Sequence, residues 1–546
     1  MIEKISNLWH DKKRNGVILM LRVSQCKLPI QITDKEIEQY LCKRLKIQAK
    51  QLSSYIINRK SLDARKKDDI YYVYTFDVYT TNEANILKKN KDKNIIQATA
   101  YTYQEVNSGE KYMQHRPVVV GFGPAGMFSA LLLAQRGYKP IVIERGQPVE
   151  QRIHDINDYW QKNQLHTNSN VQFGEGGAGT FSDGKLTTRV KDSRLHKVLE
   201  EFVKMGAKEE IKYVSNPHIG TDCLRDIVRN IRNEIISLGG EIHFDTQLIS
   251  IEYNEQIKAI KTNKGTIETN DVILAIGHSA RDTFTYLTTL PLSLEAKPFA
   301  VGVRIEHKQE YINELQYGKF AKYLPNAEYH ITHTTSNNKG VYSFCMCPGG
   351  QVVAASSEDQ QIATNGMSYS DRGLENANSA LLIQVNANDF GNDLLSGMHF
   401  QEQLEKKAFT LANSNYTAPC QLVANYLDPT IENKPNKVKP SYPNGVTWCD
   451  LHKLFPEELN KSLTEALLHY EHIMPGFSYD GAIMTAVETR TSSPIRILRK
   501  HDTLEASING LYPCGEGAGY AGGIVSSAID GIRCAEKIIM KYKRVD

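Results

Sequence analysis

Pro117-Val-Val-Val-Gly-Phe-Gly-Pro-Ala-Gly-Met-Phe-Ser-Ala-Leu-Leu-Leu-Ala-Gln-Arg-Gly-Tyr-Lys-Pro-Ile-Val-Ile-Glu144 sets out an apolar strand, a glycine turn, an apolar helix and a second apolar strand that ends on a carboxylate. That order is the plan of a dinucleotide clamp. Gly121 permits the tight turn, Gly123 lets backbone N–H groups approach a pyrophosphate, and Gly126 lets helix and strand pack closely. The helix start turns its positive dipole end to the phosphates. Glu144 falls where a carboxylate can hold ribose hydroxyls. Ala130 and Ala134 keep the helix thin where it meets the sheet.

Three further segments bear on what the clamp holds. Gly174-Glu-Gly-Gly-Ala-Gly-Thr-Phe-Ser-Asp-Gly-Lys-Leu-Thr-Thr188 is too rich in glycine for a helix or a central strand, so its backbone is expected to lie against something flat or phosphorylated. Asp271-Val-Ile-Leu-Ala-Ile-Gly277 reads as a buried strand that crosses beneath the nucleotide. Gly510-Leu-Tyr-Pro-Cys-Gly-Glu-Gly-Ala-Gly-Tyr-Ala-Gly-Gly-Ile524 leads directly into a helix, with a carboxylate at Glu516 and N–H donors at the helix start.

Working outward, 546 residues leave room for three or four domains, and 41% hydrophobic with 23% charged residues is an ordinary globular balance. No apolar run approaches the roughly 20 residues of a membrane span. Met1 to Gly16 lacks the pattern of a secretory signal, so the cytoplasm is the expected compartment. The nine cysteines are scattered without a CxxC pair, which argues against a disulfide scaffold or a zinc ribbon. Cys345 and Cys347 share one face of an expected strand among apolar neighbours and read as core residues.

Residues 1–110 carry 20 Lys and Arg against 13 Asp and Glu, so the N-terminal part is separately basic. Its signals alternate as strand 17–23, helix 34–45, strands 52–57 and 70–79, helix 82–90 and strand 94–98, the βαββαβ order of a ferredoxin-like module. Lys43 to Lys67 is crowded with cations, but neither an RNP-like aromatic pattern nor a glycine-arginine tract accompanies them, and RNA ranks below a solvated face. Residues 101–115 read as a linker. Helices are expected near 221–238, 400–412, 463–472 and 524–541, and strands near 241–244, 300–305 and 341–345.

Taken together, the clamp with Glu144, the Ala-Ile-Gly277 strand and the Gly515-Glu516 loop resemble two-domain flavoproteins that bind FAD in the manner of glutathione reductase and p-hydroxybenzoate hydroxylase. The 174–186 and 515–524 segments, with Lys297-Pro-Phe-Ala-Val-Gly-Val-Arg-Ile-Glu306, Glu488-Thr-Arg-Thr-Ser-Ser-Pro494 and Arg59-Lys-Ser-Leu-Asp-Ala-Arg65, more closely resemble the bacterial FAD-dependent dehydrogenase family. The resemblance implies an α/β fold: a Rossmann-like FAD-binding domain in two parts, 111–284 and 481–546, an inserted α+β substrate domain at 285–480, and the basic module at 1–110.

It implies FAD over Gly121, Gly123, Ala125 and Gly126, Glu144 at the adenosine ribose and Arg152 near the phosphates, with Arg145 also among the cofactor-binding residues. Gly177, Gly179, Thr180 and Lys185 would lie beside the isoalloxazine. Gly515, Glu516, Gly523 and Ile524 would cover the ribityl chain and the pyrimidine edge, and Gly277 would bind the cofactor where its strand crosses beneath the nucleotide. Glu516 is one methylene longer than the aspartate usual in the wider group. A second GxGxxG and a paired-cysteine motif are both missing from the sequence, so NAD(P)H, if it serves as reductant, would bind transiently. Lys185 is the expected cation near the flavin. Asp183, Glu488, Arg490 and His278 lie beside the expected flavin loops and are the candidates to move a proton or clamp a substrate carboxylate, although a lone histidine such as His278 or His218 more often serves structure than catalysis. Two rival functions stand beside this reading: a flavoprotein that serves RNA through the basic module, and a scaffold that keeps FAD without using it.

Overall fold

The computed structural model describes residues 19–435 and 437–544. They divide into two compact units, the first made of residues up to 104 with 208–217 and 313–325, the second of the remainder.

The first unit runs β1 (Leu19–Leu28), α1 (Asp34–Leu45), β2 (Leu52–Asp63), β3 (Tyr71–Thr80), α2 (Glu83–Lys89) and β4 (Ile95–Thr99). The expected strand start at Val17 lies outside the described residues. The four strands form one antiparallel sheet in the order β2-β3-β1-β4. Helix α1 begins because Thr33 and Glu36 close a reciprocal capping box, and it ends at Lys46 in the left-handed region. Ile37, Leu41 and Leu45, spaced by four, bury one stripe against Leu21, Val23, Phe76 and Val78. Several of the basic residues are committed within this unit. The Lys60 ammonium lies 4.2 Å from the Tyr72 ring centroid, the Arg59 guanidinium donates to Ser215, and Arg65 pairs with Asp63 at 2.6 Å.

The second unit is built on a parallel sheet of β5 (Val118–Val120), β6 (Ile141–Ile143), β7 (Glu241–His243), β11 (Val272–Leu274) and β23 (Leu511–Pro513), ordered β23-β11-β5-β6-β7. Strands β5 and β11 are apolar at every position because both faces of the sheet are covered. One cover is α3 (Pro124–Gln135), buried on all sides between the sheet and the closing helix α8 (Ile524–Lys541). The other is an antiparallel meander, β8 (Leu248–Tyr253), β9 (Ile257–Thr262) and β10 (Gly265–Glu268), whose Ile251, Ile257 and Ile260 join Val118, Val120, Val272 and Leu274 in one cluster.

The expected linker is tied down where it enters this unit. The Gly109 N–H bonds the Ile539 carbonyl at 2.9 Å, and the Lys543 N–H bonds that of Lys111 at 2.8 Å.

The rest of the unit centres on a seven-stranded sheet of β13 (Phe299–Lys308), β14 (Thr332–Thr334), β15 (Gly340–Cys347), β18 (Asn376–Val385), β19 (Ala418–Leu422), β20 (Val446–Trp448) and β21 (Ile483–Glu488), in the order β14-β15-β18-β13-β21-β19-β20. Strand β21 carries this sheet past residue 480. Two ribbons flank it: β12 (Leu294–Ala296) pairs with β22 (Ile495–Ile497), and β16 (Gly350–Ala354) pairs with β17 (Thr364–Ser368). Helices α4 (Val149–Lys162), α5 (Thr221–Ser237), α6 (Arg281–Leu287) and α7 (Ser396–Leu411) complete the elements that matter for the site. Among the described residues no helix is long and apolar enough to cross a membrane.

Candidate functional site

Each clamp glycine has its own steric reason. Gly121 takes φ +96°, and a Cβ there would collide with the Ala275 carbonyl at the end of β11. A Cβ on Gly126 would be driven onto the carbonyl oxygen of Gly121. Gly123 is the N-cap of α3 and offers no side-chain cap, so the first N–H groups of the helix stay available. Ala125 sits between two other close approaches: a Cβ on Gly515 would lie 2.7 Å from its methyl group, and one on Gly531 would strike its carbonyl.

The glycine loop and the closing helix meet at the same place. A Cβ on Gly177 would lie 3.0 Å from the Gly123 Cα, and one on Gly179 would lie 2.9 Å from Ile524 Cγ1. Helix α8, like α3, starts from a glycine, Gly523, without a side-chain cap. Gly517 packs against the Gly277 carbonyl, so the loop after β23 touches the end of β11. Gly277, Gly522 and Gly523 then face open space, with no atom within 4 Å of where a Cβ would stand. Segments from four distant parts of the chain thereby frame one backbone-lined recess.

Glu144 organises the far end. Its Oε2 accepts from the Phe122 N–H at 2.8 Å, and its Oε1 accepts from those of Gly146 and Gly174 at 2.9 and 3.0 Å. Arg145 lies over the Phe173 ring and donates to Asp282 and Thr283.

Arg152 corrects an expectation. Rather than reaching toward phosphates, it is wholly buried and donates to the carbonyls of Asn170, Val171, Gly174 and Glu175, with its guanidinium 4.7 Å from the Phe181 ring centroid. Its work is to hold the glycine loop in shape. Burial lowers its pKa to about 9, opposed by Glu144 and Glu175. Thr180 likewise faces inward: its carbonyl accepts from the Thr221 hydroxyl, while its own hydroxyl is buried without a partner.

Glu175 beside it has no exposed surface, and one of its oxygens lacks a partner. Burial pushes this carboxyl up to about 7, against the Val149 N–H and Arg232. The folded state therefore favours the protonated acid. Its contribution to stability is complete below the ordinary carboxyl value, falls as pH rises toward 7, and is lost above it. The gap is worth on the order of 3 kcal/mol at most. Glu175→Gln, which mimics the protonated acid, is expected to melt several degrees above the parent at pH 8 and to match it near pH 4.5, as thermal unfolding across that range would show.

The catalytic candidates are all engaged in ion pairs. Asp183 receives both arms of Arg372, at 3.1 and 2.6 Å, and the Ser368 hydroxyl, and these partners hold it below its usual range although burial opposes them. Lys185 sits 3.4 Å from Glu328, which also pairs with Arg372 at 2.9 Å. Glu488 faces Arg304 at 3.1 Å, and burial still raises its pKa. Arg490 shares the fully buried Glu405 with Arg281, at 2.7 and 3.0 Å. Asp183 and Lys185 thus belong to one network, while Glu488 and Arg490, two residues apart, join separate ones. His278 is a structural donor: burial and nearby Arg490 push it down to about 3, so its neutral ring gives Nε2–H to the Arg490 carbonyl at 2.7 Å. Burial and Arg372 likewise hold His218 at about 4.

The expectation for Cys345 also needs correcting. Cys347 is core, but Cys345 is exposed and takes φ +42° where the pairing of β15 with β18 slips between Phe344 and Cys347. A bulge of this kind re-aims a side chain, and nothing in the apolar context of the sequence announces it. The Cys345 carbonyl accepts from Arg304 at 2.9 Å.

A family profile described as "FAD-dependent protein, C-terminal domain-like" matches residues 298–491, the body of the seven-stranded sheet, and a profile for a domain of unknown function matches residues 20–79. An uncharacterised protein of Clostridium beijerinckii is 45% identical over 529 residues, covering 96% of this chain and 99% of the relative. The chain belongs to this family of FAD-dependent proteins. Among solved structures it is similar to glycine oxidase from Bacillus cereus, at 11% identity and TM-score 0.34 over 79% of this chain and 98% of that one. It is also similar to L-proline dehydrogenase from P. horikoshii, at 12% identity and TM-score 0.33 over 78% and 93%. Scores below 0.5 do not define a shared fold.

FAD is the cofactor, and the residues present fit it. The recess is bordered by two helix starts without side-chain caps and by three glycines with open space where a Cβ would stand, and Glu516, in the loop before α8, has a carboxylate without a hydrogen-bond partner among the described residues.

Proposed function

We propose that this chain is an FAD-dependent oxidoreductase that moves a hydride between flavin and a small organic substrate, with NAD(P)H as a transient reductant and the cytoplasm as its working compartment. The observation that carries the reading is the convergence of Gly123, Gly177, Gly179 and Ile524 beside open-faced Gly277, Gly522 and Gly523. FAD supplies the redox chemistry, and the protein supplies position and electrostatics.

In this reading the N–H groups of Gly123, Ala125 and Gly126 hold the pyrophosphate. Glu144 Oε2, which accepts a single N–H among the described residues, would keep a lone pair for a ribose hydroxyl. Gly515 and Glu516 would meet the ribityl chain, and the start of α8 at Gly523 and Ile524 would offer its N–H donors to the pyrimidine edge, where reduction would place negative charge. Arg145 closes the adenosine end. Asp183, Lys185 and Glu488 are positioning groups, fixed by Arg372, Glu328 and Arg304, and Arg490 braces the loop that follows β21. Cys345, exposed on its bulge, joins the groups that face substrate.

Anaerobic stopped-flow mixing of the purified holoprotein with NADH and NADPH, followed by a metabolite screen, tests the reading. Bleaching near 450 nm is the expected result. A flavin that stays oxidised with every donor would leave a scaffold instead.

A further inference from the structure

The sequence points to Lys185 as the cation beside the flavin, but the structure pairs Lys185 with Glu328. Other cations near the recess are committed in the same way: Arg145 to Asp282, Arg372 to Asp183, Arg496 to Glu295, and Arg499 to Asp530. Lys297 differs. Among the described residues no carboxylate lies within ion-pair distance of its ammonium group, although the residue is half-buried. We propose that Lys297 is the cation that stabilises negative charge on reduced flavin, with Glu516 as its counter-charge. This rests on the oxidoreductase reading above.

Three features place Lys297 there. It occupies the turn between β12 and β13, where its N–H bonds the Pro494 carbonyl at 2.7 Å and the following Pro298 restricts its backbone to extended conformations. The β12–β22 ribbon that bears it is fastened to the flavin loop: the Ile497 N–H bonds the Ala518 carbonyl at 3.2 Å, Arg496 Nε donates to the Gly519 carbonyl at 3.4 Å, and a Cβ on Gly519 would lie 3.0 Å from that of Arg496. The charge that draws on Lys297 is Glu516, in that same loop.

The energetics agree. Burial lowers the Lys297 pKa, with Arg496 pushing the same way, and Glu516 is what opposes them. Burial raises Glu516 to about 7, with Lys297 opposing. Two half-buried, opposite groups that stop short of contact are costly unless something charged comes between or beside them. Where bound flavin would develop negative charge on reduction, at its pyrimidine edge, the Lys297 ammonium would stabilise that charge without reorganisation.

The test uses the FAD-loaded protein and two readouts other than turnover, the two-electron potential of the bound flavin and its affinity for sulfite, a probe that places the same negative charge on the ring. Lys297→Met is expected to weaken sulfite binding about tenfold and to lower the potential by the equivalent, about 30 mV for a two-electron couple. Lys297→Arg is expected to retain the sulfite affinity within about threefold and the potential within the equivalent, about 14 mV. If the Met variant does not hold FAD, Lys297→Gln carries the same comparison. A Met or Gln variant with the parent's potential and sulfite affinity would overturn the proposal. So would a shift produced by Lys185→Met in its place. A parent protein that binds no FAD or never bleaches would instead sink the functional reading itself.

Discussion

Gly126→Val is expected to yield a colourless protein with no flavin absorbance and little cooperative unfolding. The valine Cβ would fall on the Gly121 carbonyl oxygen, with Val119 Cγ1 at 3.4 Å behind it, so neither backbone can give way locally. Relief requires α3 to lift from β5, and α3 is buried from Ala125 to Ala134 between the sheet and α8. Lifting it would expose those residues and pull the first N–H groups of the helix away from the recess. Overpacking in a tight core costs 1–3 kcal/mol even where side chains can adjust. Here backbone meets backbone, so a loss of about 4 kcal/mol or more is expected. The ratio of absorbance at 450 nm to that at 280 nm, with a urea melt, checks both parts. A yellow variant with the parent's midpoint would show that the clamp is not built as described.

Glu405→Gln should be nearly as damaging, although it removes no volume. Its carboxylate accepts from Arg490 at 2.7 and 2.9 Å, from both terminal nitrogens of Arg281 at 3.0 Å, and from the Thr489 hydroxyl at 2.5 Å. Burial opposes its ionisation, yet the two guanidinium groups hold it down at about 2. Breaking a buried ion pair by neutralising one partner typically costs 3–5 kcal/mol, and here two cations would be left to share the partly exposed Glu358, one of them with a terminal nitrogen already without a partner. The direction with pH follows. A carboxyl held low contributes its stability above the ordinary value near 4.5 and loses it as pH falls toward 2, so the penalty for Gln should be full at pH 7 and shrink in acid. Urea melts of both proteins at pH 7 and pH 4 would measure this. An unchanged difference at the lower pH would mean that the carboxylate is not what the two arginines require.

What could be read from the sequence is what depends on near neighbours. The clamp is legible because its glycines, helix and closing Glu144 lie within 28 consecutive residues whose spacing admits few geometries. The alternating order of the N-terminal module is legible because capping at Thr33 and the apolar stripe of α1 are local. The charged partners are not. Asp183 and Arg372 are 189 residues apart, and Arg281 and Glu405 are 124 apart, and no periodicity links such pairs. The place of Arg152 is not legible for a related reason: an arginine after a nucleotide-binding strand suits a phosphate as well as it suits a ring of carbonyls, and only the path of residues 170–175 decides between them. Cys345 escaped because a one-residue slip between strands leaves no trace in hydropathy.

The position of β23 in the parallel sheet has a consequence for biosynthesis. The strand that completes the edge beside β11, and the helix that seals the cradle over α3, are translated nearly 400 residues after the first glycine turn. While the ribosome works through the intervening stretch, the nascent chain exposes an unpaired β11 edge and the greasy outer side of α3, the kind of surface that chaperones shield. Coenzyme capture must then await synthesis of β23 and α8, and maturation should be slow and limited by long-range closure rather than by any local step.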